Sequence, residues 1–76
     1  MEPREQFGAN LRRSRLAAGL SQEALSHRSG LHLTEISRLE NGLRDPRLST
    51  IVRLAAGLAL PSAVLIERVD EAHSAA

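Results

Sequence analysis

The sequence predicts an all-α fold of five helices. Apolar residues recur at spacings of three and four through most of the chain, the period of an amphipathic helix. No stretch alternates apolar and polar residues as a half-buried strand does. Gly19, Gly30, Asn41-Gly42 and Pro61 divide the periodic stretches into helix-sized pieces.

The first helix is expected from Arg4 or Glu5 to Ala18. Pro3 suits a helix start, and Glu5 suits its positive end. Phe7, Leu11 and Ala18 fall on one stripe, with Leu16 joining the core near the end. Arg12, Arg13 and Arg15 lie in the later turns, where cations complement the helix dipole; a solvated basic face is the plainer reading of all three. Gly19 is a suitable terminator. Ser21 is a good N-cap for the second helix, Gln22 to Ser29, but Ala24 stands where a capping box needs Glu or Gln.

Gly30 can turn the chain sharply through a positive φ, and the third helix then runs from Leu33 to Glu40, with His32 at its N-cap. Asn41-Gly42 ends it. Two short helices joined through a glycine turn make a helix-turn-helix. Leu25 anchors its first helix, Leu31 covers the corner, and Ile36 and Leu39 seat its second. A fourth helix, Leu48 to Leu58, turns Leu48, Ile51, Leu54, Ala55 and Leu58 inward. A fifth, Ser62 to Val69, follows Pro61. Residues 70–76 show no pattern and are expected to form a disordered tail, leaving 4–69 as the folded domain.

On a helical wheel with Ile36 facing the core, stepped at about 100° per residue, Thr34 and Arg38 point almost directly outward. Leu33 and Ser37 flank them on one side and Glu35 on the other, while Glu40 turns back toward the core. A helix so seated suits a DNA major groove. An ordinary helical hairpin with a solvated face fits this wheel as well.

The chain has 76 residues, 42% of them hydrophobic, with one Phe and no Trp or Tyr. That bounds it to one domain with an aliphatic core, small enough to favour self-association. With no cysteine there is no disulfide framework, thiolate metal site or cysteine nucleophile. The absence of an 18-residue apolar run and of a signal-peptide pattern gives the expectation of a soluble cytoplasmic protein with no membrane partner. The net charge of +1 does not announce a nucleic-acid partner. Its distribution is more telling: residues 1–20 carry four Arg against two Glu, and residues 48–76 carry two Arg against three acids. Every basic residue is arginine, whose planar fork suits phosphate and guanine, although a GC-rich genome is the simpler explanation of that usage.

Taken together, Phe7-Gly8-x-x-Leu11-Arg12, Arg15-x-x-x-Gly19-Leu20-Ser21-Gln22-x-x-Leu25, Gly30-Leu31-x-x-x-x-Ile36-Ser37-x-x-Glu40-Asn41-Gly42, Pro46 and Leu54-Ala55 resemble the phage-repressor/Cro-type (XRE) helix-turn-helix family. The match spans residues 7 to about 66. The resemblance implies a five-helix, lambda-repressor-like DNA-binding domain and a sequence-specific transcriptional regulator, repressor or activator. It implies base contacts from Leu33, Thr34, Ser37 and Arg38, with Arg38 bidentate to guanine and Leu33 and Thr34 against a thymine methyl. It implies backbone contacts from Ser21, Gln22, His32, Arg44 and Arg47, with Gln22 in the place of a phosphate-clamping glutamine, and a partly buried salt bridge between Arg15 and Glu40. For Arg44 and Arg47 a solvated loop is the plain alternative.

Three departures from the family pattern stand out. Ser26 replaces an alanine and must find a hydrogen bond or stay exposed. Ser29 replaces an apolar residue. The Leu-Gly pair after the fourth helix appears as Gly57-Leu58-Ala59, so either that helix ends early near Gly57 or the turn takes another geometry. His27, His32 and His73 lack metal-ligand spacing, no nucleophile elbow or phosphate-binding glycine loop is present, and neither an enzyme nor a cofactor is expected.

One recognition helix reads few base pairs. A homodimer on a palindromic operator, with half-sites about 34 Å apart, doubles the readout. Leu58, Leu60, Pro61, Val64 and Ile66 are the candidate dimer surface, unless they only complete the monomer core. Restriction–modification controller proteins, small phage repressors and autoregulating antitoxins share this domain type. An antitoxin whose main partner is a toxin is therefore the competing expectation.

Overall fold

The computed structural model describes residues 1–75, with side chains described to His73. All regular structure among them is helical: α1 (Pro3–Ala17), α2 (Gln22–Ser29), α3 (Leu33–Glu40), α4 (Leu48–Leu58), α5 (Ser62–Leu65) and α6 (Val69–Ala75). Helix α1 packs against α3, α5 and α6, while α2 packs against both α3 and α4. The centre is aliphatic. Leu11, Leu25, Ile36, Leu39, Leu54 and Leu65 are fully buried, and Phe7 joins them. Each contributes about 1.5–3 kcal/mol relative to an exposed position.

Two close approaches set the packing. A Cβ on Gly8 would lie 2.3 Å from the Leu39 carbonyl oxygen and 2.9 Å from that of Glu40, so α1 and α3 touch backbone to backbone. At Gly57 a Cβ would lie 3.3 Å from Leu25 Cδ1 and from the Ser29 nitrogen. Gly57 therefore serves the α2–α4 contact rather than a turn.

Three helices end in the same way. After α1, Leu20 N–H donates to the Arg15 carbonyl and Gly19 N–H to that of Leu16; after α3, Leu43 and Gly42 repeat the pattern onto Arg38 and Leu39; after α4, Leu60 and Ala59 repeat it onto Ala55 and Ala56. This is the Schellman motif, which needs a left-handed residue at its corner. Gly19 and Gly42 supply it at φ +71°, and Ala59 supplies it at φ +55°. So α4 neither ends early nor adopts another turn; the alanine itself takes the glycine conformation.

The structure revises several expectations. Leu16 is 55% exposed and Leu48 78% exposed, because each lies one step off its helix's buried stripe, and Ala18 is exposed at the C-cap of α1. The expected fifth helix splits at residues 66–68, where Arg68 takes φ +64°. Beyond the break the expected disordered tail is instead α6, with Ala72 buried; Ala76 lies outside the described residues.

Asn10 explains the split. It is fully buried. Its Nδ2 donates to the Leu65 carbonyl (3.0 Å) and the Glu67 carbonyl (2.7 Å), while its Oδ1 accepts from Gln6 Nε2 (2.9 Å) and Arg13 Nη2 (3.2 Å). All four hydrogen-bonding positions of the amide are filled. The clamp satisfies carbonyls that the broken helix leaves without partners.

Candidate nucleic-acid interface

The helix-turn-helix is braced at its corner. Gly30 turns the chain at φ +75°. Leu31 follows, held on both sides of its peptide: Ser26 Oγ donates to its carbonyl, and its N–H donates to Ser29 Oγ (3.3 Å). The two serines that depart from the family pattern thus share one task. Ile36 and Leu39 are buried, at 0% and 1% exposure, which fixes the rotation of α3. Thr34 and Arg38 are exposed, Leu33 is 42% exposed, and Ser37 and Glu35 are half-buried.

A groove runs between α3 and the start of α4, lined by His32, Thr34, Glu35, Arg38, Arg44, Asp45, Arg47, Ser49, Thr50 and Arg53 with Leu31 and Leu39 at its floor. Of the residues singled out from sequence, it brings together His32, Thr34, Arg38, Arg44 and Arg47. Leu33, Ser37, Ser21 and Gln22 do not line it. Arg53 was not anticipated. It sits inside an apolar helical stretch, and only the orientation of α4 reveals which way it faces.

The arginines divide into two groups. Arg4, Arg13, Arg15 and Arg68 each pair with a glutamate. Arg12, Arg28, Arg38, Arg44, Arg47 and Arg53 form no ion pair among the described residues. Four of these six line the one groove. Glu35 and Asp45 also line it, yet neither approaches an arginine within ion-pair distance. The groove is therefore a concentration of cationic donors not committed to the protein itself.

The Arg15–Glu40 pair lies behind this face. Arg15 Nε donates to Glu40 Oε2 at 2.6 Å and Nη2 to Oε1 at 3.0 Å, while Nη1 donates to the Leu20 carbonyl at 2.8 Å. The two side chains are 9% and 2% exposed. The hydrogen bonds from Arg15 to Glu40 raise the guanidinium's affinity for its proton above the ordinary arginine value, against the opposing effect of burial. A raised value in a base means that its contribution to stability is present below the ordinary arginine range, for as long as Glu40 keeps its charge. The Glu40 carboxylate accepts a third hydrogen bond, the second on Oε1, from Gln22 Nε2 at 3.0 Å.

At the start of α2, Ser21 Oγ accepts from the Ala24 N–H at 3.0 Å. The N–H groups of Gln22 and Glu23 have no partner among the described residues. Two unsatisfied donors and the positive end of a helix face outward beside the Gln22 amide, an arrangement that suits an anion. His32 caps α3 through its backbone alone, without a side-chain hydrogen bond.

Of the residues expected at a dimer surface, Leu58 is drawn inward. It is 6% exposed and part of the monomer core, and Leu60 packs against that core. Pro61 is exposed and Val64 half-buried, while Ile66 is 47% exposed. No described helix is long and apolar enough to cross a membrane by itself. No group of His, Cys, Asp or Glu among the described residues is arranged to hold a metal ion.

The comparisons with known proteins agree with this architecture. A family described as a helix-turn-helix domain matches residues 6–69. The chain is 37% identical over 71 residues to y4dJ of Sinorhizobium fredii, an HTH-type transcriptional regulator, covering 93% of this chain and 92% of that protein. It is 41% identical over 58 residues to the control protein C.SmaI of Serratia marcescens, covering 76% and 69% respectively. The crystal structure of the restriction-modification controller protein C.AhdI from Aeromonas hydrophila superposes with a TM-score of 0.79 at 39% identity, over 82% of this chain and 94% of that one.

Proposed function

The chain belongs to the helix-turn-helix domain family and is a DNA-binding transcriptional regulator, and from that membership we propose how it engages DNA. Helix α3 enters the major groove. Arg38 reads a guanine through a bidentate contact, and Thr34, Leu33 and Ser37 contact neighbouring base edges. Arg44, Arg47, Arg53, His32, Ser21 and Gln22 hold the phosphate backbone on either side. The observation that carries this reading is the partition of the arginines: four of the six uncommitted ones gather beside the exposed face of the helix whose rotation Ile36 and Leu39 fix.

The working species is a homodimer on a palindrome, acting on DNA in the cytoplasm. With Leu58 and Leu60 drawn into the core, its surface centres on Ile66 together with Leu48 and Val52. The latter two are 78% and 53% exposed and lie one turn apart on α4. Ile51 and Ile66 line a small apolar crevice. Exposed aliphatics favour association. The likeness to two controller proteins supports the narrower reading that the regulated genes belong to a restriction–modification system, which neighbouring genes would show.

Selection of bound sequences from random duplex DNA, at fixed salt, tests the function. The expected result is a two-fold symmetric motif whose half-sites are centred about one helical turn apart. No enrichment over the starting pool overturns sequence-specific reading; an unsymmetric motif with monomeric sedimentation overturns the dimer.

A further inference from the structure

We infer that Glu40 is a positioning residue for DNA binding, holding the Gln22 amide in the orientation that presents it to a phosphate. The inference rests on the proposed backbone role of Gln22. A glutamine at the first position of a helix is a flexible side chain, and its amide group turns freely unless something holds it. Here the buried carboxylate of Glu40 accepts one hydrogen of Gln22 Nε2 at 3.0 Å. The second hydrogen on that nitrogen has no acceptor among the described residues, and neither do the N–H groups of Gln22 and Glu23. Three donors without protein acceptors thus belong to the first two residues of one helix, a supply that suits a phosphate oxygen.

A carboxylate so close to a phosphate would ordinarily repel it. Arg15 removes that difficulty. Its fork closes on both oxygens of Glu40, so Glu40 offers Gln22 a fixed acceptor without a net negative field. Arg15 is in turn held by the Leu20 carbonyl, one residue before the N-cap Ser21. The chain of contacts runs from the α1 end through α3 to the first residue of α2, and each link has a geometric partner.

The test uses the full chain and a fluorescein-labelled mixed-sequence duplex about two helical turns long. Binding is measured for wild type, Gln22→Ala, Glu40→Gln and the double variant, well below each melting temperature. Glu40→Gln keeps the shape but lets the amide at 40 turn either way. The expected losses are ~3–10-fold for Gln22→Ala, ~2–5-fold for Glu40→Gln, and no more than the Gln22→Ala loss for the double variant. Losses that multiply in the double variant overturn the inference.

A second measurement needs no variant to fold and no DNA. In the wild-type free protein, one side-chain amide proton of Gln22 should resonate downfield of its partner's ordinary position and exchange slowly. Both protons at the positions of an exposed glutamine overturn the positioning role. If the amide shows the hydrogen bond but Gln22→Ala binds DNA unchanged, the phosphate role of Gln22 fails, and the inference fails with it at a distinguishable step.

Discussion

Replacing Ala59 by glycine should make the protein more stable. Ala59 sits at φ +55°, ψ +42°, in the left-handed region, where an L residue with a Cβ is disfavoured by about 1–2 kcal/mol. Glycine escapes that term but loses more conformational freedom on folding, which takes back about 0.5–1 kcal/mol. The contacts are not at stake: Leu60 N–H reaches the Ala55 carbonyl at 2.9 Å and Ala59 N–H that of Ala56 at 3.1 Å, both through backbone atoms that glycine keeps. The net gain is about 0.5–1 kcal/mol. For a domain of this size that raises the melting temperature by about 2–8 °C. Thermal unfolding followed by far-ultraviolet circular dichroism measures it, with DNA affinity at 25 °C as a control expected to stay constant because Ala59 is remote from α3. An unchanged or lowered melting temperature would refute the claim that the alanine is strained. The companion variant Gly57→Ala should gain less than a helix-interior glycine ordinarily does. Its Cβ would press on Leu25 Cδ1 and the Ser29 nitrogen, so packing opposes the helix-propensity gain of about 1 kcal/mol.

Other variants probe other links. Gly8→Ala should unfold the protein or cost about 3 kcal/mol or more, since the new carbon falls 2.3 Å from a carbonyl oxygen of α3 and neither backbone can retreat; denaturant unfolding checks it. Asn10→Ala strips a side-chain donor from the Leu65 and Glu67 carbonyls and should cost about 2–3 kcal/mol, with α6 amides exchanging faster with solvent than those of α1. Arg38→Ala should cost about 1–3 kcal/mol of affinity and relax preference at one base pair; equal loss on every sequence would remove it from base reading. Arg47→Ala should weaken binding evenly and reduce the salt slope by about 1 per protomer.

Much of the fold was legible because its punctuation is local. Ser21, Gly30 and Asn41-Gly42 bracket α2 and α3, and caps and glycine corners depend on a few neighbouring residues. The rotation of α3 followed from Ile36 and Leu39 alone. Stripes were less reliable at their ends. Leu16 and Leu48 continue their apolar patterns in sequence but fall one step off the stripe that is buried. Asn10 left no trace, because a buried amide and a solvated one look alike in a helix; only the distant carbonyls at 65 and 67 give it a role. The same distance hid α6, whose start depends on Arg68 taking a conformation that its own residue type resists. Of the groove, the loop arginines were visible from their place after α3. Arg53 needed the three-dimensional relation of α3 to α4.

Helix α1 is where these distant parts meet. Within two turns it abuts the backbone of α3 at Gly8, grips the 65–67 corner through Asn10, and secures Glu40 through Arg15. The part proposed to read DNA and the corner that carries Ile66 are therefore bolted to a single rod. Such a molecule measures distance like a fixed caliper. Lengthening or shortening the gap between operator half-sites by one base pair should be tolerated poorly, and the DNA rather than the protein would have to twist to compensate.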